Sequence, residues 1–326
     1  MPIVVNSNAS ATSASMNLSK ANDALRSSLE RLSSGKRINS SRDDAGGMAV
    51  GYKLESRAIR TQATIQNVQN GLSFLQVQDG ALETIAKVAT RMSELRVLAD
   101  DVTKNSSDVE NYSKEFIELQ FQLQQIKQQK FNGMSLFAQT GHALSGSGTK
   151  GTGLYTPSDD SPVSYEIFQH TLLTHPDGDT SAGSVSINVV NLEFILSIGN
   201  LSGVGNGTNV DLGALGNSPG TGGTQLTSRG FISSILHVSI GQFTSVIEKI
   251  ADARAENGAE QNRVLQSIEL LQTNLSNMEA AQGRIMDTDV AYESTRYARQ
   301  NVLVQASASM TAQANQLTNI ALQLMG

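Results

Sequence analysis

The sequence predicts a mainly α protein: a long helical bundle with a terminal coiled coil and a small β-rich outer region. Three observations carry this. Aromatic residues make up only 5% of 326 residues and Trp is absent, too little bulk for a conventional large core, whereas 39% hydrophobic content suits helices that each bury a narrow stripe. Four of the five prolines, all four histidines and 18 of the 28 glycines lie between Ala138 and Gly241, so the middle differs in kind from both flanks. Heptad spacing recurs at both ends of the chain. The expected organisation is 1–44 with 287–326 as an inner terminal coiled coil, 45–137 with 231–286 as a helical bundle, and 138–230 as a variable β and loop region.

At the N-terminal end Val4, Ala11, Leu18, Leu25 and Leu32 are spaced by seven, with small Ala14 and Ala21 beside them. Gly35 is expected to end this first helix in a left-handed conformation, and Asn39 to Ser41 to form an irregular connector. Ser41 or Asp43 would then cap a second helix beginning near Ala45. From Ala45 to about Thr103 that helix would run roughly 90 Å. Its stripe is Leu82, Ile85, Ala89, Met92, Leu95, Ala99 and Val102; after a polar turn around Lys104 to Asp108 the stripe resumes at Phe116, Leu119, Leu123 and Ile126. Asn132-Gly133 is a strong turn pair.

In the middle, Val185, Ile187 and Val189 alternate, and with Leu192 to Ile198 read as one or two strands, followed by a Gly-rich loop from Gly199 to Gly223. The C-terminal flank holds the cleanest seam, Val264, Ile268, Leu271, Leu275, Met278 and Ile285, in phase with Phe243, Ile247 and Ile250. Between them the same phase lands on polar Arg254, Asn257 and Gln261. Asp287, Thr288 and Asp289 offer capping oxygens for a last helix, where Leu303, Met310, Leu317 and Leu324 are again spaced by seven.

Residues 1–19 and 300–326 contain no Asp, Glu, Lys or Arg. A helix exposed to water places charges on its outer face, so a charge-free surface beside an apolar seam is expected to be covered. Alone, each end buries one stripe against an ordering cost of about 1–2 kcal/mol per residue, and is expected to gain order only on association. The ends therefore read as polymer interfaces, with Val4, Leu18, Leu25, Leu32, Leu303, Met310, Leu317 and Leu324 as the candidate contact residues.

Other functions find little support. A net charge of −6 and pI near 5.3 remove the electrostatic drive for nucleic acid. No run approaches membrane-span length, and no signal peptide of the Sec type is expected at the N-terminus. Without cysteine there are no disulfides or thiolate sites. His170 and His175, near Asp177 and Asp179, fit no standard zinc spacing and are expected to be exposed loop histidines; the run Gly146 to Gly153 lacks the phosphate-loop pattern and reads as a flexible linker. Asp43/Asp44 and Asp287/Asp289 are explained by helix capping, and no enzyme, cofactor or metal site is expected.

The segment from Ser28-Leu29-Glu30-Arg31-Leu32-Ser33-Ser34-Gly35 through Asp43-Asp44-Ala45-Gly46-Gly47 resembles the N-terminal signature of bacterial flagellins. Phe131-Asn132-Gly133, Gln261-Asn262-Arg263, Gly283 to Ala291 and Ala312-Gln313-Ala314-Asn315-Gln316 resemble further family signatures in the right order. The resemblance covers about 1–137 and 231–326 and implies a filament subunit, with a hook-filament junction protein as the alternative. An enzyme lodged in the middle is a more distant third. It also implies export through the flagellar type III apparatus, a cytoplasmic chaperone gripping the C-terminal segment, a distal cap and junction proteins as partners, and an extracellular destination. The family's contact for the vertebrate innate flagellin receptor corresponds to Arg91, Leu95 and, after a one-residue offset, Glu115, with Ser93 where a second Arg often stands. Two departures are Asn257 and Glu260, where the family usually has apolar residues, and a short middle region.

Overall fold

The structure, a computed structural model, describes residues 8–138, 150–155, 163–179, 183–198, 210–213, 226–227 and 230–325; side chains are described outside 150–167 and 317–325. The chain divides into two compact units, 1–59 with 274–326, and 60–273. Six helices are described: α1 (Ala9–Ser34), α2 (Ala45–Ala99), α3 (Ser106–Lys127), α4 (Leu192–Ile195), α5 (Ile240–Met286) and α6 (Val290–Met325). Five strands accompany them: β1 (Lys130–Phe131), β2 (Met134–Ser135), β3 (Lys150–Tyr155), β4 (Val163–Leu173) and β5 (Ser184–Val189). The expected mainly α class with a small β region is what forms.

In the first unit, α1 and α6 pack antiparallel. Asn8 caps α1 by accepting from the Ala11 amide at 2.9 Å, and its own Nδ2 donates to the Ala314 carbonyl of α6 at 2.9 Å. Gly35 ends α1 with φ +68°, the left-handed state that a residue with a Cβ resists. Asn39 to Ser41 form the irregular connector that was expected, and the residues just before it, Gly35 to Arg37, pair with the break between α5 and α6. Lys36 and Asp287 form an antiparallel bridge, the Arg37 amide donates to Met286 O at 2.6 Å, and the Thr288 amide donates to Gly35 O at 3.0 Å. The Arg37 guanidinium adds a bond to Ile285 O at 2.8 Å. The two helix breaks thus satisfy each other's backbone groups.

The cap of α2 is Asp44, whose Oδ1 accepts from the Gly47 amide at 2.8 Å, and not Ser41 or Asp43. Asp43 turns back instead, accepting from the Asn39 and Ser40 amides and shaping the connector. Gly51 is required by a close approach: a Cβ there would stand 2.6 Å from Met286 Sδ.

In the second unit the expected stripes are buried. Leu82, Ile85, Ala89, Met92 and Leu95 of α2, Phe116 and Leu123 of α3, and Phe243, Ile250 and Val264 of α5 have no exposed surface, and Phe116 meets Phe243 edge-on at 6.2 Å. Leu119 and Ile247 of the same stripes are half-buried, and Val102 lies outside the core altogether. It is fully exposed because α2 stops at Ala99, and the turn leads to a capping box in which Asn105 and Asp108 exchange side-chain and backbone bonds. Asn132 (φ 49°) and Gly133 (φ 83°) turn the β1–β2 hairpin, both in the positive-φ region that a two-residue type I′ loop demands.

The three-stranded sheet, ordered β3-β4-β5 and antiparallel throughout, departs most from expectation. Lys150–Tyr155 is a strand where a flexible linker was expected; Gly146 to Thr149 lie outside the described residues. Leu192–Ile195 is a short helix and not a strand: Asn191 Oδ1 accepts from the Phe194 amide, and Leu192, Ile195 and Leu196 recur at helical spacing and are buried. Most of Gly199 to Gly223 lies outside the described residues.

The polar gap in the α5 seam is where β5 docks. The outward edge of β5 meets side chains in place of another strand: the Asn188 amide donates to Glu260 Oε1 and Oε2 at 3.1 and 3.0 Å, Asn188 O accepts from Gln78 Nε2 at 3.4 Å, and Ser186 O accepts from Arg263 Nη2 at 2.5 Å. Buried Asn257 donates to Gln78 Oε1 at 2.7 Å and accepts from Gln261, while Gln78 also donates to Leu136 O at 2.8 Å. Gln120 performs the same task on the return segment, donating to Ile232 O at 3.1 Å and accepting from its amide at 2.9 Å. Each buried amide side chain supplies the hydrogen bonds that irregular backbone would otherwise lack.

Candidate polymerisation surface

The first unit buries little of its own apolar surface. Its buried apolar residues are Ala21, Ile38, Ala58, Met286 and Ala314, whereas Met16, Leu29, Tyr52, Ile59, Val290, Tyr292, Val302, Leu303 and Met310 are exposed. The contact between α1 and α6 is narrow because it is built from small residues. On α1 it follows Ala14, Ala21 and Ser28, spaced by seven, with Leu18, Leu25 and Leu32 half-buried a turn further on. On α6 it follows Glu293, Tyr297, Val304, Ser307, Thr311 and Ala314.

The heptad Leu303 and Met310 lies one position before that seam, at its flank, and is left largely open: Leu303 is 45% and Met310 66% exposed. Leu317 and Leu324 continue the heptad within α6, but their side chains lie outside the described residues, as does all of Val4. α6 therefore carries two stripes, one of small and polar residues closed on α1 and one of large apolar residues left open. An open groove of about 530 Å³ runs between the helices, lined by Ala9, Ser13, Ala14, Asn17, Ala306, Ser307 and Met310. Two atoms of charged side chains in this seam, Arg31 Nε and Glu293 Oε1, are buried and make no hydrogen bond among the described residues. Glu293 is 3% exposed, and Arg296 approaches its other oxygen only to 3.9 Å. Sequence reading passed over Glu293 because a glutamate in the first turn of a helix already has a reason to be there.

The receptor candidates lie in the second unit. Arg91 and Glu115 are brought together, Nε to Oε1 at 2.8 Å, and Glu94 completes the cluster at 2.8 Å from Arg91 Nη1; all are partly exposed. These two carboxylates hold the Arg91 guanidinium further toward its charged form, Glu115 first. Leu95 is completely buried, so its side chain offers no contact surface, a correction to the expectation for that residue.

His170 is also corrected. It stands in β4, half-buried, with its ring 6.1 Å from that of Phe74 in an edge arrangement, and burial pushes its pKa down. Asp177 pairs with Arg60 at 3.3 Å and with His175 at 3.5 Å. Among the described residues no group of His, Cys, Asp and Glu is arranged to hold a metal ion, and no helix is long and apolar enough to cross a membrane.

Comparison with known proteins gives this geometry its context. Residues 5–142 match the bacterial flagellin N-terminal helical region and residues 240–325 the bacterial flagellin C-terminal helical region. The chain belongs to the bacterial flagellin family. Flagellin A of Vibrio cholerae is 28% identical over 100% of both chains, and the flagellar filament 33 kDa core protein of Treponema phagedenis is 29% identical, covering 99% of this chain and 100% of that one. A solved structure of a putative flagellar hook-associated protein from Vibrio parahaemolyticus matches with a TM-score of 0.52 at 15% identity, over 75% of this chain and 100% of that one, a likeness of fold alone. This flagellin is a structural subunit of the flagellar filament; the hook-associated reading is not favoured. Flagellins of this family form the filament, which is an extracellular structure.

Proposed function

We propose that 1–44 and 287–326 form the inner layer of the filament and that the stripe of α6 that is open at Leu303 and Met310, together with Leu317 and Leu324 of the same heptad, and with Val4, Leu18, Leu25 and Leu32 at the other end, is the surface on which neighbouring copies pack. The observation that carries this is the exposed apolar stripe on a helix with no charge from residue 300 onward. Fully burying a Leu or Met side chain contributes about 1.5–3 kcal/mol, so burial of this stripe adds to the helical hydrogen bonding and packing that together offset the ordering cost of the ends on assembly. Neighbouring copies would also satisfy Arg31 Nε and Glu293 Oε1. On this reading 45–137 and 231–286 form the surrounding bundle and 138–230 its outer decoration.

The protein carries no enzymatic function and leaves the cell through the flagellar type III apparatus, held beforehand by a chaperone on its C-terminal segment, then joins a filament bounded by cap and hook-filament junction proteins. Vertebrate innate recognition falls on the exposed cluster of Arg91 and Glu115, with Leu95 acting only by holding α2 in place. The test of assembly is a pair of variants, Leu303→Ser with Met310→Ser and deletion of 300–326. Both should keep the helical signal of the bundle and fail to extend seeds seen by electron microscopy; normal filaments from either refute the assignment. For recognition, equal receptor activation by the wild-type monomer and an Arg91→Ala variant refutes the role of that cluster.

A further inference from the structure

Three Asn-Gly pairs lie among the described residues, and the fold treats them differently. Asn70-Gly71 is inside α2 and Asn257-Gly258 inside α5, so both glycine amides are locked in the helical hydrogen-bond ladder and point along the axis, away from the asparagine side chain. Asn257 is also buried with its amide committed to Gln78 and Gln261, and Gly71 is enclosed by the Leu172 side chain. Asn132-Gly133 alone is outside a helix. Both residues are exposed, both have positive φ, and nothing lies within 4 Å of the position a Gly133 Cβ would take.

We propose that Asn132 is a spontaneous modification site, converting to aspartate and isoaspartate by attack of the Gly133 amide on its side chain. The Gly133 nitrogen bonds to Asn132 Cγ and passes its proton to the departing amide nitrogen, which leaves as ammonia. The resulting five-membered succinimide is opened by water at either carbonyl. In balance, one water is taken up, one ammonia is lost, and no oxidant or cofactor takes part. Three requirements meet at this turn and at neither helical pair: a nucleophile outside the helical ladder, an unhindered approach because residue 133 has no Cβ, and solvent on both faces for base and water.

The product has a structural consequence. Isoaspartate routes the backbone through Cβ and inserts one extra atom into a two-residue loop, so the Phe131↔Met134 and Lys130↔Ser135 pairing loses register. Phe131 packs edge-on against Phe74 at 6.0 Å, and Leu136 and Phe137 just beyond the hairpin are fully buried, so the change is felt where the chain leaves α3.

The test is to age the full-length protein at mildly alkaline pH and 37 °C, then map peptides by mass spectrometry for the amide-to-acid change and count isoaspartate by enzymatic methylation. Modification at Asn132 is expected at least about tenfold faster than at Asn70 or Asn257, as attack geometry dictates. Asn132→Gln, whose longer side chain closes a ring poorly, should lose it, and Asn70→Gln should leave it unchanged. Equal rates at the three asparagines overturn the proposal. So does an unmodified Asn132 in the intact protein under conditions that convert a free peptide spanning residues 128–137.

Discussion

Glu260 is a half-buried carboxylate at a position where the family resemblance implies an apolar side chain, and its removal is the most direct probe of how the β3-β4-β5 sheet is held. Both its oxygens accept from the Asn188 amide, on the edge of β5 away from β4. Glu260→Ala leaves that amide without an acceptor in a partly dry site, a loss of about 1–3 kcal/mol. Read as hydrogen exchange, this is roughly 5- to 150-fold faster exchange at Asn188 if the edge opens locally. Glu260→Gln keeps a carbonyl acceptor without the charge, and exchange at Asn188 should stay within about threefold of wild type.

The pH dependence separates the two variants further. Burial pushes the Glu260 carboxyl above the ordinary glutamate value of 4.5, and Glu256 adds to this, while the Asn188 bond and Arg263 work in the opposite direction. With the folded value above the unfolded one, the folded state holds the proton more tightly. The contribution to stability is therefore complete below 4.5 and is lost as pH rises from there through the elevated folded value. Denaturant titrations across that window should show wild type losing stability as pH rises, superimposed on its other carboxylates, and Glu260→Gln lacking that component. If Glu260→Ala leaves Asn188 exchange untouched, the edge is held by something other than this carboxylate, and the account of the polar gap fails.

Other perturbations follow from the same geometry. Gly51→Ala places a Cβ against Met286 Sδ and should lower thermal stability by about 1–3 kcal/mol; Met286→Ala in the same chain should recover part of it, and no recovery would mean the contact is not the cause. Gly35→Ala forces a Cβ into φ +68° and should cost about 1–2 kcal/mol, seen as a lower melting temperature, with Gly35→Asn milder. Gln78→Leu and Asn257→Leu each strand a buried polar partner at a cost of about 1–3 kcal/mol; since the two side chains bond to each other, a double-mutant cycle should show coupling, and strict additivity would refute their direct link.

How much of this was legible in the sequence depended on whether the controlling interaction was local. Gly35, the Asn132-Gly133 turn, the centres of the stripes on α2, α3 and α5, though not the α2 stripe's end at Val102, and the last helix start at Asp289 are legible, because each rests on residues close in sequence; Asp289 Oδ1 does accept from the Ala291 and Tyr292 amides. The α2 cap was misplaced by one residue since Ser41, Asp43 and Asp44 are equally competent, and what selects Asp44 is that Asp43 is already committed to Asn39 and Ser40. The strand β3 and the helix α4 were missed for opposite reasons. Lys150–Tyr155 is too rich in glycine to show alternation, so its strand depends on the long partner β4, while an apolar run as short as Leu192 to Ile198 fits strand and helix spacing alike until Asn191 caps it.

The two seams on α6 show why spacing alone does not assign a partner. A repeat of seven at Leu303 and Met310 is the strongest pattern in the last helix, and the natural inference is that it faces the helix folded back beside it. Within one chain α1 approaches along the weaker stripe of Ser307, Thr311 and Ala314, whose small side chains allow close contact, and the large residues at its flank remain exposed. A soluble monomer that chose only for its own stability would place Leu303 and Met310 against α1 and gain about 1.5–3 kcal/mol for each. The rotation of one residue forgoes that gain, and it becomes favourable only if a neighbouring subunit supplies the missing contact. Exchanging the stripes, with leucines at Ser307 and Thr311 and serines at Leu303 and Met310, should therefore raise the melting temperature of the isolated subunit while abolishing filament growth. A swapped protein that still polymerised would place the intersubunit contact elsewhere.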